Sequence, residues 1–178
     1  IKQILTDYNI LTLKEVNFTE DIIEDGDSFE ENALIKARMI AEFSGKVAIA
    51  DDSGLSVDKL NGHPGVRSAR YSPEQTDEKN IEKVLAELAG EQSKAKFVSV
   101  IAMVTPEGKE FTFRGECEGE IILEKRGTNG FGYDPIFYVP ELNKTFAEIS
   151  SDEKNAISHR KKSLEKFAKF LKEQDNEN

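Results

Sequence analysis

The period of apolar and polar positions changes several times along the chain, and each change marks an element. Ile1, Ile4 and Leu5 have the i, i+3, i+4 spacing of one helix face and predict the end of a helix. Asn9 to Val16 alternates enough to predict a strand, and the acidic stretch from Asp21 to Asp27 predicts a loop. Ser28-Phe29-Glu30-Glu31 has the form of a capping box, a serine followed three positions later by a glutamate. Good helix formers then run to Phe43, and Gly45 stands where that helix should stop. Lys46 to Ala50 reads as a buried strand. Its apolar run, Val47 to Ala50, ends in two adjacent carboxylates, Asp51 and Asp52, followed by Ser53 and Gly54.

Further along, Asn61 to Gly65 is dense in turn residues, and Val66 to Tyr71 brings two arginines and a tyrosine. Thr76 to Leu88 predicts a helix with Ile81, Val84, Leu85 and Leu88 as its buried stripe, ended by Gly90. Phe97 to Val104 and Glu110 to Phe113 read as strands joined through Pro106-Glu107-Gly108, and Glu118 to Leu123 extends the sheet. A glycine-rich loop, Gly127 to Pro135, precedes a strand from Ile136 to Val139. Ser150 to Glu153 repeats the capping pattern and opens a last helical region through Leu164, Phe167 and Leu171, with Asp175 to Asn178 as a frayed polar tail. Interleaved strands and helices without repeats or low-complexity linkers give an α/β class and one domain over residues 1–178.

Composition narrows the function. The 178 residues are 38% hydrophobic and 33% charged, enough for a real core in one domain or two small lobes. A net charge of −10 argues against duplex nucleic acid as the partner, while a local cationic cluster and a metal could still hold a nucleotide. No apolar run approaches the roughly 20 residues of a membrane span, and the first residues lack a signal-peptide pattern. The single cysteine, Cys117, excludes an internal disulfide and fits a reducing cytoplasm; it reads as structural, and His63 as part of its turn.

Three groups could carry chemistry. Two acids at the end of a buried strand cost several kcal/mol unless compensated, on the order of ion desolvation penalties. Magnesium, with its preference for hard oxygen ligands, is a natural compensator. The competing reading of Asp52-Ser53-Gly54 is plain turn chemistry. Glu31 serves either its helix cap or, presented towards Asp51 and Asp52, a metal. In the loop, Gly127, Gly130 and Gly132 permit close backbone approach, Phe131 and Tyr133 could stack on a base, and Asp134 could read its edge. The alternative is a glycine-rich turn with an aromatic plug. Lys154, His159 and Arg160 suit phosphates or a polar base edge, against the alternative of a solvated basic face with Lys161 and Lys162. On one continuous helix Lys154 and His159 would point about 140° apart, so they converge only if the helix breaks near Ile157-Ser158. There is no Walker phosphate loop and no dinucleotide glycine fingerprint.

Five blocks occur in order: Ser28 to Ala33, Ala50 to Leu55, Pro64 to Tyr71, Gly130 to Pro135, and Glu153 to Arg160. Together they resemble the inosine triphosphate pyrophosphatase family, whose bacterial members are XTP/dITP diphosphatases, over about Ile1 to Leu171. The resemblance implies an elongated mixed β-sheet with flanking helices, two lobes with a nucleotide cleft between them, and homodimers. It implies hydrolysis of ITP, dITP and XTP to the monophosphate and pyrophosphate, using Mg2+. By matching position it implies Glu31 and Asp52 as metal ligands and Asp52 also as the general base that activates water; Asp51 is a helper on chemical grounds alone. Ser53 is implied as a substrate contact, with Phe131, Gly132, Tyr133, Asp134, Lys154, His159 and Arg160 around the base and sugar. The family opens with a strand and a phosphate-binding loop that would lie just before Ile1, so a chain without its first strand is expected. Competing readings are a same-fold pyrophosphatase for other modified nucleotides and a nucleotide-binding or dimerisation module without turnover.

Overall fold

The sheet of the computed structural model, which describes Leu5 and residues 7–177, rests on three long strands. These are β1 (Ala48–Val57), β2 (Ser93–Val104) and β3 (Glu110–Ile121). β1 pairs antiparallel with β2 from Ala48 opposite Val104 to Val57 opposite Ala95. β2 pairs antiparallel with β3 over the whole of both strands. Short β4 (Phe137–Val139) and β5 (Lys144–Thr145) follow, and the five strands lie in chain order. Every described pair is antiparallel, where a mixed sheet was expected: consecutive strands that neighbour each other return without the crossover a parallel pair needs.

Among the described residues the α-helices are α1 (Phe29–Ser44), α2 (Asp77–Leu88), α3 (Ser151–Ile157) and α4 (His159–Asn176). The small residues Ala33, Ala37 and Ala41, four apart on α1, let it sit against Ala48, Val98, Val100 and Ala102 on one face. α4 covers the opposite face, where Phe167 joins Ile101 and Met103. Gly115 makes that approach close, since a Cβ there would lie 2.5 Å from the Ser163 nitrogen. Beyond Ser53 a further core begins, with Leu55, Val57, Phe97 and Ile121 packed with Ile81, Val84 and Leu88 of α2.

The helix signals are obeyed. Ser28 caps α1 by accepting from Glu31 N at 3.0 Å, and Gly45 ends it in the left-handed region at φ 67°. Only half of the first capping box forms, because the Glu31 carboxylate accepts from Asp27 N at 2.8 Å. The second, Ser150 with Glu153, is reciprocal.

Besides the mixed sheet, four local expectations differ from the structure. Asn9 to Val16 is not a strand; Phe18 N donates to Leu13 O at 2.9 Å, and the segment closes in a turn with Asn17 at φ 60°. β1 does not stop at the paired acids, because β2 offers partners as far as Ala95. The stretches around Glu110 and Glu118 are one strand. Asp175 and Asn176 belong to α4, and Tyr8 Oη donates to Asp175 Oδ2 at 2.7 Å. The helix expected over Ile1 to Leu5 lies outside the described residues except for Leu5, which is buried with Ile101, Met103 and Phe167.

The outer edge of β3 from Glu110 to Gly119 faces no described strand. Lys162 and Lys166 of α4 reach over it, donating to Glu116 O at 2.8 Å and Arg114 O at 2.6 Å.

Candidate active site

Strand alternation splits the acidic motif between two faces of β1. Asp52 shares the face of Ala48 and Ala50 that packs on α1, whereas Asp51 and Ser53 point to the other side. Asp51 is exposed, and its carbonyl accepts from Lys36. Asp52 is half-buried, and its Oδ2 has no hydrogen-bond partner among the described residues. Burial pushes its carboxyl up to about 6; Lys36 and Asn32 beside it pull the other way, and Glu24 and Asp51 add to the rise. Lys36 Nζ lies 4.0 Å from Asp52 Oδ1 and 2.7 Å from Glu24 Oε1. The acidic loop wraps tightly over the start of α1: Gly26 N donates to Asn32 Oδ1 at 2.8 Å, and a Cβ on Gly26 would lie 2.8 Å from Glu31 Cγ. Among the described residues no three His, Cys, Asp or Glu side chains form a metal cluster.

Beside β1, along Ser53 to Leu55, lies a cavity of about 490 Å³, a volume within the range of small-molecule sites. Its wall includes Ser53, the loop from Asn129 to Asp134, and Lys154, His159 and Arg160. The loop curls around its own carboxylate. Asp134, 3% exposed, accepts from Lys154 Nζ at 2.6 Å and from Phe131 N at 3.2 Å. Burial raises its pKa against the pull of Lys154. Gly130, at φ 74°, leaves room for that carboxylate where any side chain would collide with it. Tyr133 is buried, and its hydroxyl donates to Ser68 O at 2.6 Å. Phe131 is 60% exposed, with Lys154 Nζ 4.6 Å and Arg160 Cζ 5.5 Å from its ring centroid.

The helix breaks where convergence requires it. α3 ends at Ile157; Ser158 is extended (φ −68°, ψ 156°) and caps α4 by accepting from Lys161 N. Lys154 and His159 therefore face one cavity. His159 is buried and stacked on Phe97 at 5.0 Å, and its Nδ1 has no partner among the described residues. Burial, helped by Arg160, Lys154 and Lys162, lowers its pKa to about 3, so the ring is neutral at physiological pH.

Thus the cavity gathers Ser53, Phe131, Gly132, Tyr133, Asp134, Lys154, His159 and Arg160, while Glu31 and Asp52 stand outside its wall on the α1 side of the strand. Sequence reasoning passed over Lys36 beside Asp52, and Ser68, Asp77 and Asn80 on the cavity wall. Asn80 carried a signal: it stands one position before Ile81 and four before Val84, a polar residue on an apolar helix stripe.

Comparison with known proteins gives a consistent picture. Residues 1–170 match the Ham1 family. The chain is 52% identical over 168 residues to the dITP/XTP pyrophosphatase of Bacillus subtilis (strain 168), covering 92% of this chain and 85% of that protein. It is 48% identical over 175 residues to the enzyme of the same name from Leuconostoc mesenteroides, covering 96% and 87%. The fold superimposes on the Staphylococcus aureus Ham1 protein with a TM-score of 0.93 at 45% identity, over 97% of this chain and 91% of that one. A HAM1 protein from Coxiella burnetii gives 0.91 at 44% identity, with the same coverage.

Proposed function

The chain belongs to the Ham1 family, and on that premise we propose that it hydrolyses deaminated purine nucleoside triphosphates (dITP, ITP and XTP) to the monophosphate and pyrophosphate. The observation that carries the reading is the break at Ser158, which turns Lys154 and His159 into one cavity with Phe131 and Asp134. On this reading the cores on either side of Ser53 are two lobes, and the cavity is part of the nucleotide cleft between them.

Base selection falls to the cavity. The exposed Phe131 ring is a stacking platform, worth on the order of 1–3 kcal/mol per base. The neutral His159 ring, part of the cavity wall, offers one N–H donor and one acceptor to the purine edge. Lys154 and Arg160 are donors suited to a 6-oxo group. Adenine places an amino group there, so donor would face donor and buried groups would go unpaired.

Phosphate chemistry falls to Asp52, one position along β1 from Ser53 on the cavity wall. Asp52, with a carboxyl near 6 and an unpartnered oxygen, orients a water and takes its proton as it attacks the α-phosphorus; pyrophosphate leaves. Glu31 and Asp52 would hold the magnesium ion, both offering the hard carboxylate oxygens that it prefers. When bound, the ion offsets the charge of the phosphates. The same reading makes the enzyme a cytoplasmic homodimer acting on free nucleotides, not on nucleic acid or a membrane; no described helix is long and apolar enough to cross one.

The test is pyrophosphate release from dITP, ITP, XTP, GTP and ATP with magnesium. Turnover of the first three but not ATP is expected. Equal turnover of ATP, or binding without turnover of any, overturns the proposal.

A further inference from the structure

The loop that carries Phe131 is held from below by the first turn of α2. Asp77 Oδ2 accepts from Gly132 N at 2.9 Å. One turn later Asn80, 3% exposed, donates to Ser68 O at 3.3 Å and Ala69 O at 3.2 Å, and its Oδ1 accepts from Ser72 N and Ser72 Oγ. Ser68 O is also the acceptor for Tyr133 Oη. The Ser68 hydroxyl accepts from Leu55 N at 2.8 Å and donates to Gly65 O at 2.6 Å. It sits over Gly54, where a Cβ would come within 2.5 Å of it. A chain of hydrogen bonds therefore runs from β1, three residues past Asp52, through Ser68 to Tyr133, with Asn80 bracing its middle.

Asn80 spends both amide hydrogens and its oxygen on the protein, so it frames the site without touching a ligand. Asp77 does something narrower. Phe131 is too exposed to be fixed by packing, so the direction of its ring is set by its backbone. That backbone is tied on one side by the Asp134 carboxylate to Phe131 N and on the other by the Asp77 carboxylate to Gly132 N.

We propose that Asp77 is a positioning residue for base recognition: through Gly132 N it fixes the Phe131 platform relative to the strand of Asp52. The inference rests on the reading of this loop as the base site.

Asp77→Ala removes the acceptor, and Asp77→Asn keeps one. Asp77 lies at the exposed start of its helix, so both variants are expected to fold. Binding of the two products, inosine monophosphate and pyrophosphate, is measured by calorimetry. Asp77→Ala should weaken the monophosphate about tenfold, the scale of one charge-assisted hydrogen bond, and leave pyrophosphate unchanged. Asp77→Asn should stay within about threefold of the parent, since a neutral acceptor retains much of the bond. Unchanged monophosphate binding in Asp77→Ala, equal weakening of both products, or failure of Asp77→Asn to rescue overturns the inference. Phe131→Ala is run alongside. If it leaves monophosphate binding intact, the loop is not the base site and the underlying reading fails, whatever Asp77 does.

Discussion

Gly115→Ala tests how α4 delivers His159 to the cleft. An added Cβ would lie 2.5 Å from Ser163 N and 2.9 Å from Lys162 Cβ, and would also collide with the His159 carbonyl oxygen. Ordinary contact begins near 3.4 Å, so the helix must retreat by about 1 Å. The obstructing atoms are backbone or the root of a side chain, and none can swing aside. Overpacking of this kind costs about 1–3 kcal/mol, and rigid neighbours put this site in the upper half. In a chain of this size that lowers the melting temperature by about 5–10 °C. The retreat also stretches the buried Ser99–Ser163 hydroxyl pair, now 3.0 Å apart, and withdraws His159 and Arg160 from the cavity. A misplacement of about 1 Å can cost on the order of a hundredfold in rate, so kcat/KM for dITP should fall by at least tenfold. Thermal unfolding and pyrophosphate release read the two effects. A melting temperature within about 2 °C of the parent, less than a 1 kcal/mol effect, together with unchanged kcat/KM, would refute the reasoning.

Three further outcomes are expected. Asp52→Asn should lower kcat by about 10²–10⁴-fold, as loss of a general base does, while stability holds or rises because burial disfavours the charged carboxylate; near-normal turnover rejects the assigned role. Phe131→Ala should raise KM for dITP by the equivalent of about 1–3 kcal/mol without moving the melting temperature, the ring being largely exposed; a stability loss with unchanged KM would make it a structural plug. His159 has a folded pKa near 3 against an ordinary 6.5, so the unfolded chain takes up the proton first. Its contribution to stability is complete above about pH 6.5, is eroded by about 2 kcal/mol at pH 5, and continues to fall towards pH 3. Denaturant titrations of His159→Gln should show that much less acid sensitivity between pH 7 and pH 5, and an unchanged slope counts against a buried neutral imidazole.

Much of the fold could be read locally. Ser28, Gly45, Ser150 and most of the stripe on α2 act through neighbours within a turn and behave as the sequence suggests, the half-formed box at Ser28 and the partly buried Leu85 apart. The angular argument for Lys154 and His159 worked because a helix allows no compromise: both enter one cavity only through a break, and Ser158 supplies it. What escaped depends on partners distant in sequence. Two adjacent carboxylates look like the boundary of a strand, yet alternation sends them to different surfaces and β2 carries the pairing onward. Asn9 to Val16 has a strand's pattern but turns back on itself. Asp77 and Asn80 act through Gly132 and Ser68, brought to them only by the folded chain.

The two lysines that α4 lays over β3 have a consequence outside the cleft. An open strand edge of this length invites a strand from another molecule to add to it. Lys162 and Lys166 already occupy the carbonyls of Glu116 and Arg114, and an arriving strand would have to break both hydrogen bonds to reach them. Replacing both with methionine should leave the melting temperature nearly unchanged and show its cost instead as precipitate at high concentration, read by light scattering. The helix that delivers His159 to its cavity also guards that edge against strand addition.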